Sequence, residues 1–357
     1  MNTNHIGGDN KREERKHLVL GHIVHEYVST ASPVSSRAVA GKMDGKVSSA
    51  TVRNIMAELE KEGHITQPHT SAGRIPTQLG YRCYVDAVKE KIRLRKEEAR
   101  RLSNEYSRRI RTMKEVIEKT SFLISRELHN AGVVMWPSIE DAHLEHMELV
   151  KVKAETILAV LVTMTNAVKN HIIRLDRDIE KAELKRVSNY INTNYERSPV
   201  SFIYGDLNRV LNNEAGEKER EVLGVARTSL RIIDTIIEEN IENEIYWEGL
   251  NYFMERAEFQ DIDITRRILQ IFSERKVLID MMKTDLSCHG LKVHIGRENR
   301  SEVLTKCSVV TCGYTLHGRS AGRIGVIGPT RMDYDSAIRT VSCLSDLISA
   351  KLEEINN

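Results

Sequence analysis

The sequence predicts an α+β protein built from several domains, and three observations carry that expectation. Residues 34–86 read as two short helices, a glycine turn and a hairpin. Runs within 146–175 and 291–327 alternate like strands, with a helix between and a helix after. Strands, helices and strands again suggest a central mixed sheet of the α+β sensor type. At 357 residues the chain is long for a single domain, and roughly two to three are expected.

Taken in order, residues 1–12 are polar and read as disordered, and a first helix is expected over 11–29 with Leu20, Ile23, Val24, Tyr27 and Val28 inward. Pro33-Val34-Ser35-Ser36 opens a short helix that Asp44-Gly45 closes. Residues 47–63 then form a helix with a divided surface. Val52, Ile55, Met56 and Leu59 share one stripe, while Ser49, Thr51, Arg53 and Asn54 crowd the first two turns away from it. Ser48 is the expected N-cap, its hydroxyl accepting from an otherwise unpaired amide. Small hydroxyl, amide and guanidinium groups at a helix start are what a DNA major groove accepts. Ser36 and Arg37 of the preceding helix would then lie near the phosphate backbone. After Gly63, residues 64–67 read as a short strand. Thr70-Ser71-Ala72-Gly73-Arg74 reads as a tight tip with Arg74 on it, the wing of a winged helix. Each piece has a plainer reading, as a helix cap or a turn; their order within one short stretch is what favours a DNA reader.

Residues 78–89 read as a closing helix. From 91 past 122 a single charged helix is expected, because Leu102, Tyr106, Ile110, Met113 and Ile117 recur at steps of three and four. Residues 91–127 hold twelve Lys/Arg against six Asp/Glu, and the plain reading of these charges is a solvated face. Residues 1–90 hold twelve against ten, and the whole chain is only +2. Specific DNA contacts would therefore come from placement rather than bulk charge.

Strands are expected at 146–153, 156–163 and 168–175, a helix at 179–195, strands at 291–295, 307–313 and 324–327, and a last helix at 335–352. Residues 201–284 have another texture: a helix at 227–242, helical runs at 265–273 and 275–282, and the aromatic cluster Tyr246, Trp247, Tyr252 and Phe253. Interfaces favour such side chains, and ordinary core packing explains them equally well.

Five cysteines without a CxxC pair, and no signal peptide, suggest reduced thiols in a cytoplasm. Cys307 and Cys312 read as buried strand residues rather than metal ligands. No apolar run approaches a membrane span. Residues 322–331 hold G-x-x-G-x-x-G, which lacks the phosphate-loop Lys-Ser/Thr and the dinucleotide G-x-G-x-x-G, so a buried strand is expected there. His143-x-x-His146 has no HExxH order, and no nucleophilic set emerges from spacing. Neither a catalytic residue, a cofactor nor a metal is expected.

The run SSATVRNIMAELEKEGHITQPHTSAGRIPTQLGYRCYVD resembles the heat-inducible transcription repressor (HrcA) family, as do NYFMERAEFQD, LVTMTNAVKNHIIRL, IGRENRSEVLTKCSVVTCGY and GRIGVIGPTRMDYDSAI. The resemblance runs from about 17 to 349. It departs at Gln78-Leu79, at Cys83 and at Thr165-Asn166-Ala167, which touch packing and turns. It implies a winged-helix DNA-binding domain (1–90), a linker helix and first part of a GAF-like domain (91–200), an inserted dimerisation domain (201–284) and the second GAF-like part (285–357). It also implies a homodimeric repressor that binds an inverted-repeat operator (the CIRCE element) in double-stranded DNA upstream of chaperone genes, with the chaperonin keeping it active. On that reading Ser36, Arg37, Ser49, Thr51, Arg53, Asn54, Thr70, Ser71 and Arg74 face DNA, and Tyr246, Trp247, Tyr252 and Phe253 face a second copy. A regulator that senses a small molecule through the GAF-like domain is the alternative.

Overall fold

The computed structural model describes residues 6–43, 47–70, 72–89, 96–106, 110, 112–136, 139–140, 142–164, 168–212, 220–241, 245–259, 261–285, 290–299, 301–316 and 318–356. The chain begins with helices α1 (Ile6–Thr30), α2 (Ser36–Lys42) and α3 (Ser49–Lys61), strands β1 (Ile65–Thr66) and β2 (Ile75–Pro76), and helix α4 (Gln78–Lys89). Val52, Ile55, Met56 and Leu59 are all buried, and they pack with Leu20, Ile23, Val24, Val39, Tyr81 and Val85 in one core. The first helix starts earlier than expected. Residues 6–12 are helical rather than disordered, because Arg12 and Lys16 ion-pair with Glu58 of α3 and with Glu62, its C-cap, and hold that end down. Residues 1–5 and the Asp44-Gly45 turn lie outside the described residues.

Next come α5 (Lys96–Tyr106) and α6 (Met113–Leu128), two helices where one was expected. The break is capped: Thr112 is extended, at φ −125° and ψ 153°, and its side chain accepts from the Glu115 amide. The apolar stripe still directs burial, since Leu102, Tyr106, Ile110 and Ile117 are all in the core. The Tyr106 hydroxyl meets Thr120 Oγ1 at 2.7 Å and ties the two helices together.

Strand β3 (Ala131–Met135) follows, then β4 (Leu144–Lys153), β5 (Thr156–Thr163), β6 (Val168–Arg174), α7 (Lys181–Tyr195), α8 (Val200–Asn212) and α9 (Arg220–Ile241). The chain continues with β7 (Ile245–Glu248), α10 (Leu250–Met254), α11 (Ile262–Ser273), α12 (Arg275–Thr284), β8 (Leu291–Ile295), β9 (Cys307–Leu316), β10 (Arg319–Pro329) and α13 (Tyr334–Asn356). Besides the β1-β2 pair, the described strands form two antiparallel sheets, with strand orders β7-β3-β10-β9-β8 and β4-β5-β6. A single central sheet was expected, and pairing decides otherwise. β4–β6 bury one face against α7, α8 and α9 in a core of their own, including Met147, Leu161, Ile173, Ile191 and Ile232. β7, assigned to the insertion by its texture, pairs with β3 in the large sheet.

The large sheet is covered on both faces. Val134, Val310, Ile324 and Val326 meet α6 and α13, in a core continuous with that of the N-terminal helices. Val133, Val309 and Ile327 meet α11 and α12. Residues 322–328 are strand, as the glycine spacing predicts: a Cβ on Gly325 would sit 2.5 Å from the Val310 carbonyl. Cys307 and Cys312 belong to the cores on opposite faces of β9, so they do not converge on one ligand, and burial pushes the Cys307 thiol up to about 12.

Candidate nucleic-acid interface

The first turns of α2 and α3 meet. Ser35 Oγ accepts from the Ala38 amide at 3.2 Å, and Ser48 Oγ accepts from the Thr51 amide at 3.1 Å, so each helix is capped by a side chain. Ser36 Oγ and Ser49 Oγ then face each other at 3.3 Å, which leaves both half-buried. Beyond them Thr51, Arg53 and Asn54 are exposed, as is Arg37 of α2. Ala50 and Ala57 are the exposed neighbours of Asn54 on the same face, and neither blocks close approach. Arg37 and Arg53 make no ion pair among the described residues.

The other half of α3 is acidic, and it is neutralised from outside. Glu58 pairs with Arg12, Glu62 with Lys16 at 2.7 Å, and Glu60 with Arg74 at 2.9 Å. The Arg12 hydrogen bond holds the Glu58 carboxyl below its ordinary range, and the Glu62 hydrogen bond raises Lys16. The helix therefore presents Arg53 and neutral polar groups at its first turns and paired carboxylates toward its end. That polarity suits an approach by its N-terminal end, where the helix dipole also favours phosphate.

Arg74 is not at the hairpin tip. Its backbone pairs both ways with Val34 at 2.8 Å, and its Nε lies 3.0 Å from Glu60 Oε2. The close approach needs Gly73, where a Cβ would fall 2.4 Å from the Val34 carbonyl. The hairpin thus hangs on the α1–α2 connection, and Arg74 is the hinge that fastens it to α3. The tip consists of Pro68, His69, Thr70 and Ala72. Gln67 Nε2 braces it from inside, donating to the Thr70 and Ala72 carbonyls at 2.8 and 3.0 Å. Thr70 and His69 are exposed there, and Ser71 lies outside the described residues. Gln67 and His69 were missed from sequence because nothing in the spacing distinguishes a brace from a loop residue.

Helix α4 docks this unit on the large sheet. Arg82 donates to the Val293 carbonyl at 2.6 Å and to Glu298 at 3.1 Å. Arg331 donates to the Val28 carbonyl at 2.7 Å and to Glu258 at 2.6 Å. The rings of Tyr81 and Tyr334 are 5.6 Å apart.

Of the aromatic cluster expected to face a second copy, Tyr246, Trp247 and Tyr252 are half-buried, and each also contacts a neighbour within its own chain. Tyr246 donates to Glu248 at 2.8 Å, and burial pushes its hydroxyl up to about 12. Trp247 packs edge-on against Phe272 at 5.8 Å beneath Arg275, and Tyr252 against His129 at 5.2 Å. The side chain of Phe253 lies outside the described residues. Exposed apolar side chains are scattered over several helices, and four of them share one face of the small sheet. Val150 (45% exposed), Val152 (58%), Val168 (58%) and Ile172 (68%) stand on its outer face. Half-buried Leu158, Val160 and Val162 run between them, and Leu158 pairs with Val150 on one side and Ile172 on the other. Among the described residues no metal-holding cluster occurs, and no helix is long and apolar enough to cross a membrane.

The profile of the HrcA protein C-terminal domain matches residues 114–338. The heat-inducible transcription repressor HrcA of Pelotomaculum thermopropionicum is 34% identical, covering 97% of this chain and 98% of that one. Those of Syntrophobacter fumaroxidans and Geobacter sulfurreducens are also 34% identical, covering 96% and 95% of this chain and 97% and 98% of theirs. A crystal structure of a hypothetical protein at 2.2 Å resolution superposes with a TM-score of 0.62 at 23% identity, over 96% of this chain and 98% of that one, and shows likeness of fold.

Proposed function

The chain belongs to the family of heat-inducible transcription repressors (HrcA), and from that premise we propose how its parts divide the work. The protein is a DNA-binding transcriptional repressor acting in heat-shock regulation. Residues up to about 90 are its winged helix-turn-helix, with α3 in the major groove and the hairpin over the backbone. The observation that carries this reading is the open first half of α3, where Thr51, Arg53 and Asn54 are exposed while each carboxylate further along is matched by a cation. Arg53 and Asn54 read bases; Arg37 and Thr70 touch backbone; Ser36 and Ser49 set the angle between α2 and α3; Arg74 positions the hairpin.

The large sheet with its helices is the GAF-like domain, and the small-sheet unit, about 139–241, is the insertion within it. A second copy covers the outer face of β4–β6, since an open apolar sheet face is costly in a monomer and a two-fold dimer reads both arms of an inverted repeat. The chaperonin modulates repression in the cytoplasm. Footprinting of the pure protein on inverted repeats upstream of chaperone genes, with and without chaperonin, tests the reading. Protection of both arms, strengthened by chaperonin, is expected; protection of unrelated sequence alone would refute it. A small-molecule response is the second reading, favoured by a cavity of about 310 Å³ next to the Arg82–Glu298 contact.

A further inference from the structure

That cavity lies between the C-terminal end of α12 and the segment that follows β8. Asp280, Thr284, Asp285, His294, Glu298, Asn299 and Ser301 supply its polar lining, and Val277, Met281 and Leu304 its apolar wall. Its polar groups are mostly acceptors. Asp285 holds His294 at 2.7 Å, with Arg323 donating to the Asp285 backbone carbonyl from behind. Glu298 accepts from Arg82 and from the Ile295 amide at 2.9 Å. Asp280 is exposed at the mouth and has no ion-pair partner among the described residues. The last carbonyls of α12 add the negative end of a helix dipole.

Asn299 is an independent pointer. It is only 6% exposed, and its Nδ2 is committed to the carbonyls of Gly296, Leu304 and Cys307 at 2.9, 3.0 and 2.8 Å. Its Oδ1 is buried with no hydrogen-bond partner, on a residue that lines the cavity. Carboxylates, a helix C-terminus and an orphan carbonyl ask for a cation. Part of the wall is apolar, so an ion carried on a hydrocarbon stem fits better than a bare one.

We propose that this cavity binds a small organic cation, a primary ammonium on a short apolar stem, and that its occupation loosens the reader from the sheet. The coupling runs through Glu298, which an incoming ammonium draws away from Arg82 of α4. Only this second half rests on the reading of α3 as the operator reader.

Calorimetry of the full chain with n-butylammonium and 1,4-diaminobutane, against Mg²⁺ at equal ionic strength, tests the first half. Saturable binding of the amines is expected, on the order of millimolar or tighter. It should weaken about tenfold in Asp280→Asn, the loss of one charge-assisted contact, and vanish in Asp280→Lys, whose own ammonium fills the mouth. Heats identical in wild type and both variants, or no amine binding, overturn the cavity assignment. For the second half, fluorescence anisotropy with operator DNA should show the amine lowering affinity severalfold more in wild type than in Asp280→Asn, which reads the direct competition of amines for phosphate. Equal losses overturn the coupling. Failure of amine-free protein to bind operator would instead refute the reading of α3, and calorimetry would still decide the cavity.

Discussion

On the proposed pairing of two copies through the outer face of β4–β6, Ile172→Asp is expected to separate them without unfolding the protomer. Ile172 is 68% exposed on the outer face of β6, next to Leu158 in the adjacent strand, whereas Ile173 points into the core. Fully burying such a side chain is worth roughly 1.5–3 kcal/mol, so covering the exposed part contributes about 1–2 kcal/mol per protomer. A two-fold interface counts each substitution twice, for a loss of about 2–4 kcal/mol before any cost of burying the carboxylate. At 1.4 kcal/mol per tenfold, the dimer Kd weakens roughly 30- to 700-fold. Sedimentation velocity over a concentration series reads the change, and circular dichroism checks that the fold is intact. The variant should still touch single half-sites while losing tight binding to the full repeat. A dimer Kd equal to wild type, with native circular dichroism, would show that the sheet face is not where two copies meet.

Four further outcomes are expected. Arg53→Ala and Asn54→Ala should each weaken operator binding by about 1–3 kcal/mol and relax base preference, with unchanged melting, because both side chains are exposed; anisotropy against mismatched operators checks this. Arg74→Ala should lower operator affinity yet leave the log–log salt slope unchanged, since its guanidinium is engaged by Glu60 rather than offered to phosphate; a slope reduced by about one would make it a phosphate contact after all. Gly73→Ala should displace the hairpin, costing about 1–3 kcal/mol of stability and most specific binding, which a melting curve beside anisotropy would show. The Arg126 hydrogen bond holds Glu105 down at about 2 against an ordinary 4.5, so its stabilisation is complete above about pH 4.5 and is lost as pH falls through 2; acid titration of wild type should show this component and Glu105→Gln should lack it.

Local chemistry determined the elements. The stripe Val52, Ile55, Met56 and Leu59 selected the face of α3 that is buried, and Ser48 capped it, because periodicity and capping act within a few residues. The strands at 146–174 and 291–327 were legible for the same reason, and so were the family and the side chains on the open half of α3. Thr112 was not legible as a break, since its stripe continues through it and only the packing of α5 back on α6 rewards the interruption. Partnership belonged to the tertiary structure. β4–β6 could have joined β8–β10 by composition alone, and they form a separate sheet because α7–α9 cover them. Trp247 and Tyr252 have the composition of an interface and are half-buried against Phe272 and His129 of their own chain, while exposed Val150, Val152, Val168 and Ile172 sit in strands that alternate like any other. Arg74 was placed by sequence at a tip and by structure on Glu60, fourteen positions away. Hydrophobic pattern states that a face must be covered, and pairing between distant segments decides by what; that choice is a property of the folded chain rather than of any window along it.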